Sequence, residues 1–324
     1  MPHPPCTTQR PIRLLVTSAA AKVPLLRAAM EAARRVHPDS LVTAGDSDPH
    51  APARVVADAF WVMPSLADTS PAGLLDACLQ RKITHVLPTR DGELLFWSGV
   101  RAEFEKQGIR VLVSAEAAVR CCLDKLAFAR FGREQGFPFI PASEQFASLG
   151  SPPYVVKERH GSGSRGIGLN LDADTARAHA GLLDRPIFQP YITGRELSVD
   201  AWLTPAAKVK GLVLRWRDRV EHGESQVTTT FRDAALEAQC ADWLERLGLS
   251  GPVVMQLMLD AQNRPHVIEC NPRFGGASTA SIAVGLDLLY WSLLEAQAGA
   301  ALPFKRAHHE IRQIRLTQDK LEPL

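Results

Sequence analysis

Short apolar runs alternate with longer amphipathic stretches through the first third of the chain. Residues 12–17 read as a strand, Val23–Val36 as a helix and 41–44 as a second short strand. A helix at 74–81, a strand at 83–87, a helix at 93–107 and a strand at 109–113 continue the rhythm. This strand–helix alternation predicts a parallel sheet covered on both faces, with ligands at the carboxyl ends of the strands.

The alternation stops near residue 114. Ser114 reads as the cap of one helix that runs through Leu123-Asp124-Lys125 to about Gln135, ended by Gly136-Phe137-Pro138. Strands at 154–157 and 168–171 enclose a glycine-rich loop, and 172–183 reads as a helix capped by Asp172. Further strands follow at 187–192, 197–203 and 211–216, and a last hairpin begins with the apolar run 253–259. The pattern therefore predicts an α/β domain over 12–115 and an α+β domain with antiparallel hairpins over 116–305. Residues 1–11 are expected to be disordered, and 306–324 form a tail. Residues 274–304 carry only Asp287 and Glu295 as charges and read as a buried helix rather than a membrane span.

Composition narrows the classes. A chain of 324 residues with 46% hydrophobic positions suits two or three subdomains of a globular protein. Lys+Arg 37 against Asp+Glu 35 leaves no basic stripe, so no nucleic-acid partner is expected. The six cysteines form no C-x-x-C pair, which points to reduced thiols and a cytoplasmic setting. Four prolines in the first eleven residues and no apolar core there argue against a signal peptide.

Candidate chemistry concentrates in the last hairpin. In Val267-Ile268-Glu269-Cys270-Asn271-Pro272-Arg273, Glu269 and Asn271 lie two apart and share one face of a strand. If the turn at Asp260 to Pro265 sets Leu259 opposite His266, then Gln256 falls opposite Glu269. One face then carries a carboxylate and two amides, a donor set suited to Mg2+ shared with phosphates. Arg273 follows, placed to meet a phosphoryl oxygen or a carboxylate.

The loop Gly161-Ser162-Gly163-Ser164-Arg165-Gly166 matches G-x-G-x-x-G but precedes a strand rather than a helix, so the dinucleotide reading fails. No G-K-[ST] follows, which excludes a Walker loop. Between two strands such a loop can fold as a flap whose N–H groups hold phosphates. Lys157, flanked by Val155 and Val156, stands on the strand entering it.

Lys125 after Asp124, Lys157, Phe188-Gln189-Pro190-Tyr191-Ile192, Glu196, Gln256 and Glu269-Cys270-Asn271-Pro272-Arg273 occur in this order. The set resembles the ATP-grasp superfamily, most closely its carbamoyl phosphate synthase large-subunit-like branch, over roughly residues 12–305. The resemblance implies an ATP-grasp fold behind a Rossmann-like pre-ATP-grasp domain, with a lid at about 140–188. It implies that Lys125 and Lys157 contact ATP phosphates, that Gln189 and Ile192 flank the adenine, and that Glu196 binds the ribose. It further implies that Gln256, Glu269 and Asn271 hold two Mg2+ ions, for which Mn2+ can substitute, and that Arg273 stabilises the transferring phosphoryl group. His222 falls in a phosphate- or substrate-side segment.

Many relatives carry glutamate where this chain has Gln256 or Gln189; neither change removes an oxygen ligand. Absence of a glutaminase nucleophile and a second synthetase half argues against full carbamoyl phosphate synthesis. The implied activity is an ADP-forming carboxylate–amine ligase acting through an acyl phosphate. Carbonate or carbamate phosphorylation and a non-catalytic nucleotide-binding subunit are the alternatives. Partners are a small carboxylate and an amine, with no membrane, and related proteins often form homodimers. Arg215 and Arg217 are candidates for the substrate carboxylate, Gly275 and Gly276 for backbone contacts to an anion, and Asp91-Gly92-Glu93 for the amine.

Overall fold

The computed structural model describes residues 10–295, 303–316 and 319. Strands β1 (Arg13–Thr17), β2 (Leu41–Asp46), β3 (Ala59–Val62), β4 (His85–Leu87) and β5 (Arg110–Val111) pair in parallel, in the order β3-β2-β1-β4-β5. Side-chain alternation on β1 divides the core. Leu14 and Val16 pack with helix α1 (Val23–Val36), whose Leu25, Leu26, Ala29, Ala32, Ala33 and Val36 form one apolar stripe. Leu15 faces the other way, into a core with Trp97 and Phe104 of α3 (Asp91–Lys106) and Leu74 of α2 (Pro71–Gln80). The expected parallel sheet is therefore present. Edge strand β3, four residues with mixed exposure, gave no readable pattern.

The single helix expected from Ser114 to Gln135 is two. Helix α4 (Glu116–Leu123) ends at Asp124, whose extended backbone starts α5 (Lys125–Gln135). The Asp124 carboxylate accepts from the N–H groups of Leu126 (3.0 Å) and Ala127 (3.1 Å), satisfying two donors of the new helix. Ser114 caps neither helix; its hydroxyl donates to the Ser250 carbonyl at 2.8 Å.

Strands β6 (Tyr154–Glu158), β7 (Gly168–Leu171) and β8 (Pro186–Pro190) form a small antiparallel sheet in the order β7-β6-β8. Helix α6 (Ala173–Ala180) closes its back through a core of Tyr154, Val156, Ala176 and Phe188. Asp172 caps that helix as expected, accepting from Thr175 N–H at 2.8 Å.

The largest sheet has the order β13-β12-β9-β10-β11-β14, with β9 Arg195–Leu203, β10 Val209–Glu221, β11 Glu224–Phe231, β12 Gly251–Leu259, β13 Pro265–Asn271 and β14 Arg312–Ile314. One face is apolar: Leu197, Val199, Ala201, Met255, Leu257 and Leu214 pack on Leu236, Cys240, Trp243 and Leu244 of α7 (Ala234–Arg246). Neither β11 nor α7 was read from the pattern. Strand β14 brings part of the expected tail into the sheet by pairing with β11.

The apolar stretch after Arg273 forms two short helices rather than one, α8 (Thr279–Ala283) and α9 (Leu288–Glu295). Gly285 separates them at φ +101°, where a side chain would also collide with the Lys305 carbonyl. No helix among the described residues is long and apolar enough to cross a membrane. The segment 1–11 expected to be disordered lies outside the described residues up to position 9, as do 317–318 and 320–324 of the tail.

Candidate active site

The polar face of the large sheet is built strand by strand. Gln256 pairs with Glu269, as the sequence pattern requires, but by a different route. Leu259 pairs with Pro265 and Met258 with His266, so the expected Leu259–His266 pair does not form. Asp260 tightens the turn: its carboxylate accepts from the N–H groups of Gln262 and Arg264, both at 2.9 Å. A uniform ladder from that turn would set Gln256 opposite Ile268 and send Glu269 to the wrong face. A bulge between Gln256 and Leu257, with Ile268 as the extra residue, restores the pairing.

Across the neighbouring strands Gln256 pairs with Ser198 and Ser198 with Arg215, so Glu269, Gln256, Ser198 and Arg215 form one row. Asn271 stands beside Glu269 and donates its amide Nδ2 to Glu269 Oε1 at 3.1 Å.

Opposite this row stand two buried ammonium groups. Alternation on β6 turns Val156 into the lid core and Val155 and Lys157 toward the cleft. Lys157 is 7% exposed. Burial pushes its pKa down to about 8; Glu269 acts to raise it and Lys125 to lower it further. Lys125 is lowered for the same first reason, burial, with Glu269 opposing. Its Nζ donates to the Gly161 carbonyl at 2.6 Å, which ties the first turn of α5 to the glycine loop. Arg159 reinforces this junction with two bonds to the Asp124 carboxylate, 2.8 and 2.5 Å long.

The glycine loop rests on the tip of the β10–β11 hairpin. That tip is a two-residue turn, His222-Gly223, with φ of 50° and 77° between the paired Glu221 and Glu224. A Cβ on Gly223 would lie 2.8 Å from Ser164 Oγ and 3.1 Å from the Gly163 carbonyl carbon. The lid and the hairpin thus meet backbone to backbone.

Several expected residues are engaged within the protein. Glu196 pairs with Arg217 at 2.9 Å; burial raises its pKa and Arg217 opposes that rise. The Gln189 amide donates to the Ile140 carbonyl at 3.3 Å. Arg215, 2% exposed, is held by the fully buried Asp200, with Nε–Oδ2 at 2.6 Å. Ser278 and Ser281 also donate to that carboxylate, at 2.7 and 2.5 Å. Arg273 forms a two-pronged pair with Asp91 (2.5 and 2.6 Å). Burial would lower the Arg273 pKa, and the Asp91 charge and bonds more than offset this. Glu93 accepts from Thr89 N–H, Arg90 N–H and Trp97 Nε1. Of the Asp91-Gly92-Glu93 acids expected to meet an amine, Asp91 is thus paired with Arg273, and Glu93 is turned into the protein rather than toward the cleft.

Apart from Gly92 and Glu93, the site residues singled out in the sequence line one cleft of about 1100 Å³. Lys125, Lys157, Gly161 to Ser164, Gln189, Ile192, Glu196 and His222 bound its lid side. Gln256, Glu269 and Asn271 form its floor, and Arg215, Arg273, Gly275 and Gly276 its far end. Sequence reasoning missed Lys22, Thr89 and Arg90 from the parallel-sheet domain, and Arg315, which lies beside Gly276 with Glu224 of the expected segment 222–225. The strand-end rule was the signal that pointed to the first three.

The donor set suits Mg2+ with nucleotide phosphates. Among the described residues no cluster of three or more His, Cys, Asp or Glu side chains occurs, so an all-protein metal cage is absent. Mg2+ typically takes one or two carboxylates and completes its shell with phosphates and water. Glu269, Asn271 and Gln256 match that need, and the two lysines opposite match the phosphates.

Two family models match the chain. Residues 184–319 fit "ATP-grasp in the biosynthetic pathway with Ter operon", and residues 14–112 fit the PylC-like N-terminal domain. Curated protein sequences give no significant match. Among solved structures, biotin carboxylase of Campylobacter jejuni in a β-γ-ATP complex superposes with a TM-score of 0.74 at 15% identity, covering 93% of this chain and 75% of that one. The biotin carboxylase domain dimer of Hydrogenobacter thermophilus 2-oxoglutarate carboxylase, bound to MgADP, ADP and bicarbonate, gives 0.73 at 15%, covering 94% and 74%. L-amino acid ligase of Bacillus licheniformis gives 0.64 at 19%, covering 90% and 75%. At these identities the likeness establishes the fold.

Proposed function

We propose that the chain, which fits an ATP-grasp family model over residues 184–319 and the PylC-like N-terminal domain over 14–112, is an ATP-dependent, ADP-forming ligase that joins a small carboxylate to an amine. The observation that carries this reading is the juxtaposition of Glu269, Gln256 and Asn271 on the cleft floor with Lys125 and Lys157 across from them. Phosphoryl transfer is mainly a problem of positioning and charge. When bound there, Mg2+ supplies neutralisation of the β- and γ-phosphates.

The protein's own residues supply the rest. Lys157 and Lys125 take phosphate oxygens, and the amides of Gly161 to Ser164 close over them. Val155, Ile192 and Met258 offer apolar surface to the base. Glu196, already oriented by Arg217, accepts from the ribose hydroxyls. Arg273, held by Asp91 at the far end, steadies the carboxylate that attacks the γ-phosphorus and then the acyl phosphate. The amine displaces phosphate from that intermediate. Closure of the lid, about residues 140–188, on the His222-Gly223 tip keeps water away from the acyl phosphate. Two Mg2+ ions, a homodimer and a cytoplasmic setting belong to the same reading.

The test is ADP release by the full chain with Mg2+ and pooled small carboxylates, amino acids, amines and bicarbonate. The reading requires Mg2+-dependent ADP formation that needs both a carboxylate and an amine. Release driven by bicarbonate alone would move the protein to carbonate phosphorylation. Nucleotide binding with no release in any mixture would overturn the ligase.

A further inference from the structure

We propose that the crevice between β1 and β4 is an anion subsite that holds a second acidic group, carboxylate or phosphate, on the non-reacting end of the substrate. The identification of that group as part of the substrate rests on the ligase reading above. In the order β3-β2-β1-β4-β5 the chain runs outward one way from β1 and the other way from β4. Ligands of open α/β sheets bind at the carboxyl ends of the strands, where this reversal opens a gap. Here that gap faces the far end of the ATP-grasp cleft, next to Arg273.

Two cations stand in it without an anionic partner among the described residues. Lys22 Nζ donates to Thr89 O and, at 2.9 Å, to Thr89 Oγ1, which are both neutral. Arg90 Nε reaches only Ser18 Oγ, at 3.4 Å, and its guanidinium is exposed to the cleft. The arginines around them differ. Arg215 is matched by Asp200, Arg217 by Glu196, Arg273 by Asp91 and Arg315 by Glu224. Glu93, Asp91 and Glu224 lie near enough to act on Lys22, but Glu93's oxygens are taken by the N–H groups of Thr89, Arg90 and Trp97, and Asp91 and Glu224 are paired with Arg273 and Arg315. Helix α1 also begins here, at Lys22, with no side-chain cap on its first N–H groups. Burial, and then Arg273, push the Lys22 pKa down to about 8 against the opposing pull of Glu93, Asp91 and Glu224, and an anion bound beside it would raise it.

Two experiments on the full chain test this. The first needs no turnover: an amine-reactive label at pH 8 is read at Lys22 by peptide mass spectrometry, with inorganic phosphate, glutarate or neutral acetamide present. Phosphate or glutarate should protect Lys22 several-fold and acetamide should not. The stronger protector identifies the group as phosphate or carboxylate. Equal labelling in all three would overturn the subsite, whether or not the protein is a ligase.

The second compares ADP release for matched acids, such as glutamate with glutamine and phosphoserine with serine. The acidic member should be favoured by about tenfold or more in kcat/KM, the scale of one charge-assisted hydrogen bond. Lys22→Met should collapse that ratio below about threefold, and Lys22→Arg should restore most of it. A ratio that survives Lys22→Met overturns the proposal. Protection of Lys22 by an anion with no ADP release from any acid leaves the subsite standing and removes the ligase reading.

Discussion

Arg215→Met separates a structural role from a substrate role at a single position. The Arg215 guanidinium lies 2% exposed against an Asp200 carboxylate that is fully buried. Its other contacts are Ser278 and Ser281, each donating one hydroxyl to Asp200. Removing the arginine leaves a buried charge with two neutral donors. Breaking one partner of such a pair typically costs about 3–5 kcal/mol. At about 2–4 °C per kcal/mol for domains of this scale, the melting temperature should fall by roughly 6–20 °C. Leu in place of Asp200 in the same chain removes the stranded charge, so the double variant should regain at least half of the loss. Differential scanning fluorimetry with and without nucleotide reads all three proteins. A melting temperature within about 2 °C of the parent, together with lost turnover, would refute this reasoning and return Arg215 to the substrate.

Lys157→Met should raise the dissociation constant for ATP about tenfold or more, by loss of a charge-assisted bond, as read by calorimetric titration. The same contact gives a pH dependence. Lys157 loses its proton near pH 8 in the free protein, so ATP affinity should be full below that pH and fall as pH rises through it; a flat profile from pH 7 to 9.5 would count against the contact. Gly223→Ala should weaken nucleotide binding several-fold, because φ is +77° there and a Cβ would press on Ser164; unaltered affinity would show that the lid does not seat on this tip. Gly285→Ala should cost at least about 1 kcal/mol at its positive φ, seen as a lower melting temperature.

What the sequence could reveal depended on how local each determinant is. Helix α1 was readable to its ends because the apolar stripe and Pro24 lie within the segment itself. Asp124 was harder: residues on either side favour helix, and the break becomes legible only with Arg159, 35 positions away, holding its carboxylate. The hairpin shows two errors that cancel. The Asp260 turn is tighter than the pattern suggested, and the bulge at Ile268 shifts the ladder back, so Gln256 still meets Glu269. Strand β11 was missed because Thr228, Thr229 and Thr230 break the apolar signal while the backbone pairs on both edges. Lys22 had no local signal at all. Its meaning comes from Thr89, 67 residues later, just beyond the end of β4, the strand next to β1.

The claim on which the rest depends is that Glu269 and its neighbours hold a nucleotide through divalent metal. Calorimetric titration of a non-hydrolysable ATP analogue, with Mg2+ and with EDTA, into the parent and Glu269→Gln proteins tests it directly. The account predicts micromolar or tighter binding with Mg2+, at least tenfold weaker binding with EDTA, and loss of that metal dependence in Glu269→Gln. Equal binding by both proteins in both buffers would contradict it.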